Sequence, residues 1–196
     1  MNGYQDPRRE IYGVTSTFDE SENITNGFHG LRVGNEYPIK TGQCYSNVKV
    51  EVSSPIMWMN AAEVMFLRAE AALRGWDTEK TPKAYYEAGI RLSFEQLGAK
   101  NVEDYLVSTN TPESYKDPLG TYSFSGTPST ISVQWKDGNF EESLERIITQ
   151  KWIANFPLGL EAWAEFRRTG YPKLMGTASN KSGGDIEEGK FPRRLT

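Results

Sequence analysis

Two helix-forming segments with a short break between them constrain this chain more than any other feature. Residues 57–74, "MWMNAAEVMFLRAEAALR", are dominated by strong helix formers. Asn60 is placed to cap the main body, and Gly75 stops it. Ala61, Ala62, Ala69, Ala71 and Ala72 leave little bulk, so a neighbouring helix can approach closely. Residues 82–97, "PKAYYEAGIRLSFEQL", read as a second helix, with Thr81 as N-cap, Pro82 at the first position and Gly98 at the end. A connection of about six residues predicts an antiparallel helical hairpin. The hairpin looks like a single tetratricopeptide-type unit. Only one clear copy is visible, so no repeat array is expected.

The remaining pattern is also mainly helical. "NVEDYLVS" reads as a short helix, residues 139–156 as a long one interrupted by Pro157, and residues 158–169 as a shorter one stopped by Gly170 and Pro172. Residues 43–52, "QCYSNVKVEV", alternate. Cys44, Ser46, Val48, Val50 and Val52 fall on one side, and Tyr45, Asn47, Lys49 and Glu51 on the other, the pattern of a half-buried strand. Residues 1–42 lack periodicity, the stretch up to 137 is a long Ser/Thr/Pro/Gly-rich loop, and residues 171–196 form an irregular tail. The expectation is a mainly α fold with long irregular loops and little β structure. It divides into 1–56 (loops with a short strand), 57–98 (hairpin), 99–137 (loop region), 138–170 (helices) and 171–196 (tail).

A chain of 196 residues can bury one real core. Net charge is −4 with both signs mixed, so the basic stripe that a nucleic acid requires is missing. No apolar run approaches the length of a membrane span, and the N-terminal "MNGYQDPRREIYG" is not a signal peptide. Cys44 is the only cysteine and His29 the only histidine. An intrachain disulfide and a Cys/His zinc site are therefore excluded within one chain. A Ser-His-Asp triad would need His29, which sits in a Gly-rich loop and reads as a turn residue. "GDIEEGK", 184–190, has P-loop spacing. However, Phe191 stands where a Ser or Thr must reach magnesium, and Pro192 blocks the following helix.

Glu63 and Glu70 lie two turns apart on one helix face and invite a glycosidase reading. Ala, Leu and Phe crowd that surface, which favours structural pairing with arginines of neighbouring helices. Arg91, Arg146 and Arg167 are the candidates. Trp152 and Phe156, at i and i+4, share a stripe with Ile148 and Thr149. Leu160, Trp163, Ala164 and Arg167 share one on the next helix, and Glu165 reaches Arg168 at i+3. Aromatics at helical spacing predict core packing for Trp152, Phe156 and Trp163. Loop aromatics are not held to a helix face. Tyr115, Tyr122, Phe124 and Trp135 are thus the candidates for stacking against a sugar, against the alternative that they pin the loop to the helices.

Four stretches together resemble the C-terminal part of SusD/RagB-type outer-membrane nutrient-binding lipoproteins of Bacteroidetes, in the SusD-like, starch-binding-associating branch. They are "GYQDPRR" (3–9), "NAAEVMFLRAEAALRGW" (60–76), "LERIITQKWIANFPLGLEAWAEFRRTGYP" (144–172) and "FPRRL" (191–195). Family members are more than twice as long, and their signal peptide, lipidated cysteine and most tetratricopeptide helices precede the matching region. The resemblance thus implies that residues 1–196 are a C-terminal portion of such a protein, lacking the lipid anchor. It further implies a protein on the outer face of the outer membrane that binds glycans or other nutrients. There it would cap a SusC-like TonB-dependent transporter without bond chemistry, cofactor or metal. Ligand contacts in the family come from variable loops, so no binding residue carries over by position. Two other readings stand beside this one: a helical interaction scaffold that holds the transporter, and a glycosidase using Glu63 and Glu70 or Glu161 and Glu165.

Overall fold

The computed structural model describes residues 1–16, 27–36, 44–55, 57–76, 78–181, 183 and 191. The P-loop-like stretch 184–190 and all of "PRRL" lie outside the described residues. In chain order the elements are α1 (Arg9–Tyr12), β1 (Gly13–Val14), β2 (Asn47–Val48), α2 (Ala61–Leu73), α3 (Pro82–Leu97), α4 (Val102–Leu106), α5 (Phe140–Ala154) and α6 (Gly159–Thr169). The fold is mainly helical, with one two-stranded antiparallel ribbon among the described residues.

The helix ends follow local chemistry. The side chains of Asn60, Thr81 and Asn139 accept from the amides of Ala62, Ala84 and Glu142, so each long helix begins on a bonded cap. Gly98 and Gly170 end α3 and α6 in the left-handed region, at φ 66 and 79. α2 and α3 form the hairpin, and α5 lies across both. Phe66, Tyr86, Ile90, Phe94, Ile147 and Ile148 fill the space between them and are essentially inaccessible to water.

The hairpin is tight because one position on α3 has no side chain. A Cβ at Gly89 would lie 2.8 Å from the ring of Phe66, which is itself fully buried and packed edge-on against Tyr86. Gly89→Ala gains about 1 kcal/mol of helix propensity but overpacks a site that cannot yield, at about 1–3 kcal/mol. A net destabilisation of about 1 kcal/mol is expected, read as a lower urea midpoint at constant slope.

The first residues are part of the core. Tyr4, Asp6 and Arg8 are buried. The Arg8 guanidinium donates to both carboxylate oxygens of Asp6, to Ser93 Oγ on α3 at 2.9 Å and to Gln150 Oε1 on α5 at 2.8 Å. It also lies over the rings of Phe94 and Tyr105. The end of the long loop is equally fixed. Tyr86 donates its hydroxyl to the Val133 carbonyl at 2.6 Å, and Tyr4 donates to the Ile131 carbonyl at 2.9 Å.

Over the described residues 44–52 the half-buried strand expected for 43–52 does not form. Pairing is confined to Asn47–Val48, and Val48, Val50 and Val52 are all exposed. Cys44 and Tyr45, assigned to opposite faces, are both buried. The partner strand is only two residues long, so the alternating valines have no sheet face to cover. Their alternation reflects β-propensity without a tertiary partner.

Candidate functional site

The apolar and polar groups that could meet a ligand converge on a cleft of about 480 Å³ near the chain's first residues. Seven separate segments build it, Met175 of the tail among them. The N-terminal turn supplies Asn2 and Gly3, α1 supplies Arg9 and Tyr12, and the ribbon supplies Asn47 and Val48. Phe28, Leu31 and Arg32 come from the stretch between the two strands, Pro112 to Tyr115 from the long loop, and Phe156 from beyond α5. Gly3 lets the first turn lie directly on the long loop: a Cβ there would overlap the backbone of Thr111 and Glu113.

The rings are held in place. Tyr12 and Phe156 pack with centroids 4.9 Å apart. The Arg9 guanidinium covers one face of Phe28 at 4.6 Å, while Asn2 Nδ2 donates to the Phe28 carbonyl at 2.7 Å. Tyr115 exchanges both backbone hydrogen bonds with Phe124, closing a small hairpin in the long loop. The turn of that hairpin winds around buried Asp117, which accepts from the Tyr45 hydroxyl at 2.7 Å and from the Tyr122 amide at 3.0 Å. Burial, followed by the neighbouring Asp117 carboxylate, pushes the Tyr115 phenol up to about 12, so it is neutral and a donor at physiological pH. Arg32 rivets this loop to the tail. Its guanidinium donates to the carbonyls of Tyr122, Ser123, Gly176 and Thr177 and lies over Phe124 at 5.2 Å.

Of the four loop rings read from the sequence, only Tyr115 lines the cleft. Tyr122 and Phe124 belong to the same hairpin and support it. Trp135 lies elsewhere: its ring packs 5.3 Å from Tyr86 at the edge of the core, and its Nε1 donates to Asp137. The sequence reading missed Arg9, Tyr12 and Phe28, which sit where no periodicity marks them, and it placed Phe156 in the core rather than at the cleft.

The paired glutamates sit within an ion-pair ladder. Arg168 donates to both oxygens of Glu70, at 2.7 and 2.6 Å, and Arg74 donates to Oε1 at 2.9 Å. Glu63 meets Lys151 at 3.3 Å, Lys151 meets Glu165 at 3.0 Å, and Glu165 returns to Arg168 at 2.7 Å. The expected partners are therefore corrected. Arg91 binds Glu103 and Glu87, Arg146 donates from Nε to the Ser132 carbonyl, and Arg167 is exposed. One residue is a turn of about 100° on a helix, and α6 presents Arg168 rather than Arg167 to α2. The same rotation corrects the α6 stripe. Leu160 and Ala164 are exposed, Phe166 is the buried residue, and Trp163 is half-buried and stacked on it at 5.9 Å. Trp152 is half-buried against the core.

Burial raises the Glu70 carboxyl, but the bonds from Arg168 and Arg74 outweigh it and hold the group below its ordinary range. No helix among the described residues is long and apolar enough to cross a membrane, and no acidic, His or Cys cluster there could hold a metal ion.

Comparison with known proteins agrees with this architecture. The whole chain, residues 1–196, matches the SusD-like family, described as Susd and RagB outer membrane lipoprotein. No curated protein matches the chain. A SusD homologue from Bacteroides ovatus is 49% identical with a TM-score of 0.89, over 96% of this chain and 41% of its own. A homologue from Bacteroides thetaiotaomicron is 46% identical with a TM-score of 0.88, over 96% and 40%. A chitin-binding SusD homologue from Flavobacterium johnsoniae is 42% identical with a TM-score of 0.86, over 96% and 39%. The chain thus spans about two fifths of the length of the structures it matches. With residues 1–196 matched throughout and the same helical arrangement in these homologues, the chain belongs to the SusD-like family of outer-membrane lipoproteins.

Proposed function

We propose that this protein binds glycans at the cell surface, without bond chemistry, in partnership with a TonB-dependent outer-membrane transporter. The observation that carries the reading is the cleft. Tyr12, Phe28, Tyr115 and Phe156 offer ring surface, and Asn47, Glu113 and Ser114 offer donors and acceptors beside it. Sugar rings carry apolar C–H faces and polar edges, which suit such a mixture. The chitin-binding homologue at 42% identity supports a glycan as the ligand class. Outer-membrane placement and the transporter partner rest on the family description and the resemblance. Affinity is expected to be modest, because well-solvated hydroxyls gain little on binding.

The carboxylate environment favours binding over hydrolysis. A general acid must hold a proton near neutral pH, whereas Glu70 is kept ionised by two arginines. Glu63 and Glu165 share Lys151, and Glu161 faces solvent.

Tyr115→Ala is expected to weaken glycan binding by about tenfold, equivalent to about 1.4 kcal/mol, with the helical circular dichroism unchanged. The check is a tryptophan-fluorescence titration of the chain against a panel of soluble glycans. Binding of a panel glycan that Tyr115→Ala leaves intact would remove the cleft from the reading. Released reducing sugar, abolished by Glu70→Gln, would replace binding with hydrolysis.

One observation favours an added scaffold role. Trp58, Met59, Val64 and Leu67 expose apolar surface on and just before α2, and Trp76 exposes more beyond it. Such a surface suits protein contact. A transporter captured by the chain in the absence of sugar, and lost on Trp58→Ser, would support it.

A further inference from the structure

We infer, resting on the glycan reading above, that Arg32 is the positioning residue of the cleft: it fastens the wall that carries Tyr115 to the tail, so that glycan binding and docking of the tail strengthen each other. The five N–H donors of a guanidinium lie in one fixed fork. In Arg32 the fork is divided between two segments. Nη1 donates to the carbonyls of Tyr122 and Ser123, at 3.1 and 3.4 Å, while Nε donates to Gly176 at 2.9 Å and Nη2 to Thr177 at 3.4 Å. Bonds from an ionised donor are stronger than neutral ones. The same group lies over Phe124, whose backbone exchanges both hydrogen bonds with Tyr115, at 3.1 and 2.8 Å. The position of the Tyr115 ring in the cleft therefore follows that of Arg32.

The tail also meets the residues that follow Arg32. Ala178 donates its amide to the Val33 carbonyl at 2.7 Å, and a Cβ at Gly34, which sits at φ 82, would overlap the Ser179 backbone. Met175, at the head of this stretch, lines the cleft. Residues 171–181 form no helix or strand, and the long-loop hairpin carries an isolated bridge, Tyr115 to Phe124. Segments with so little regular structure loosen at small cost. Joined through one guanidinium, they order together, and a ligand that fixes Tyr115 also fixes the tail. Such coupling is reciprocal. All three nitrogens of Arg32 already face backbone carbonyls, so its contribution to binding is to place the wall. Lysine, a point charge without the fork, cannot hold both segments at once.

Hydrogen exchange read by mass spectrometry tests the coupling on the chain as it stands, with and without whichever of chitotriose, cellotriose and maltotriose binds most tightly. In the ligand-free chain, Gly34→Ala lifts the tail while leaving Arg32 and the cleft lining intact. It is expected to speed exchange at 115–124 as well as at 175–181. With the trisaccharide bound to the wild type, exchange over 176–181 is expected to slow, although Met175 is the tail residue that lines the cleft. Arg32→Lys is expected to weaken binding by about tenfold, mainly through faster dissociation, and to abolish that slowing, with helical circular dichroism unchanged. A purely structural Arg32 predicts instead a lower urea midpoint with affinity and tail protection kept, and that result overturns the inference. So does unchanged exchange at 115–124 in Gly34→Ala, or at 176–181 on binding, and in both cases the glycan reading stands. If Arg32→Lys does not fold, the Gly34→Ala and wild-type arms decide. Binding of none of the three overturns the inference, and the glycan reading falls with it if a wider panel also yields none.

Discussion

Arg8→Ala is expected to destabilise the protein by about 3–5 kcal/mol, the range for removing one member of a buried ion pair. Arg8 is fully buried, and its guanidinium touches the N-terminal turn, α3, α4 and α5 together, through Asp6, Ser93, Tyr105 and Gln150. Removing it strands the Asp6 carboxylate, which is 1% exposed and keeps only the Tyr105 hydroxyl, at 2.8 Å, as a side-chain donor. Urea unfolding followed by helical dichroism measures the loss, and a change below about 1 kcal/mol would mean that the network is not coupled. The pH dependence has a definite sign. Burial raises the Asp6 carboxyl, but Arg8, by charge and hydrogen bonds, and Tyr105 outweigh it and bring it below its ordinary value of 3.8. A carboxyl depressed in the folded state contributes its full stability above the unfolded value and loses it as the pH falls through the folded one. The gap between wild type and Arg8→Ala is therefore expected to narrow as the pH falls, because the stranded Asp6 carboxyl of the variant takes up a proton at a higher pH than that of the wild type.

Lys151→Ala is expected to cost about 3 kcal/mol, toward the lower end of the same range. The lysine side chain is 3% exposed, while its partners Glu63 and Glu165 are 17% and 13% exposed. Water can reach those carboxylates in part, and Arg168 still faces Glu165, so the stranded charge is smaller than at Asp6. Adding Glu63→Gln to Lys151→Ala should recover part of the loss, because it removes one of two carboxylates left facing each other. A thermal or urea midpoint for the double variant below that of Lys151→Ala alone would show that Glu63 has another role.

The stretches that carry the family resemblance coincide with these networks. "DPRR" supplies Asp6 and Arg8, "QKW" supplies Gln150 and Lys151, the α2 glutamates are Glu63 and Glu70, and "RRTG" supplies Arg168 and the turn at Gly170. The recognisable sequence is thus the set of charged and polar groups that lock the helices together. It touches the cleft at Gly3, Arg9 and Phe156, while the other lining residues come from outside those stretches.

The long helices and their caps were legible in the residues because they depend on neighbours within a turn, although α2 begins at Ala61 rather than at 57 and the short α1 lies in a stretch read as irregular. Asn60 and Thr81 bond amides two and three residues away, Gly98 ends α3, and the i+3 contact of Glu165 with Arg168 forms at 2.7 Å. The buried ends of contacts between distant segments were not legible. Whether α6 shows Arg167 or Arg168 to α2 depends on a rotation of one residue, and periodicity alone does not choose between them. The valines of 47–52 carry a strand pattern, but a strand is buried only if another element packs on it, and none of the described residues does so. Local chain chemistry determined that this protein is a set of capped helices with a closely packed hairpin. Tertiary packing alone decided which charges pair and brought seven distant segments into one cleft, because those contacts depend on helix rotation and on loops that have no period.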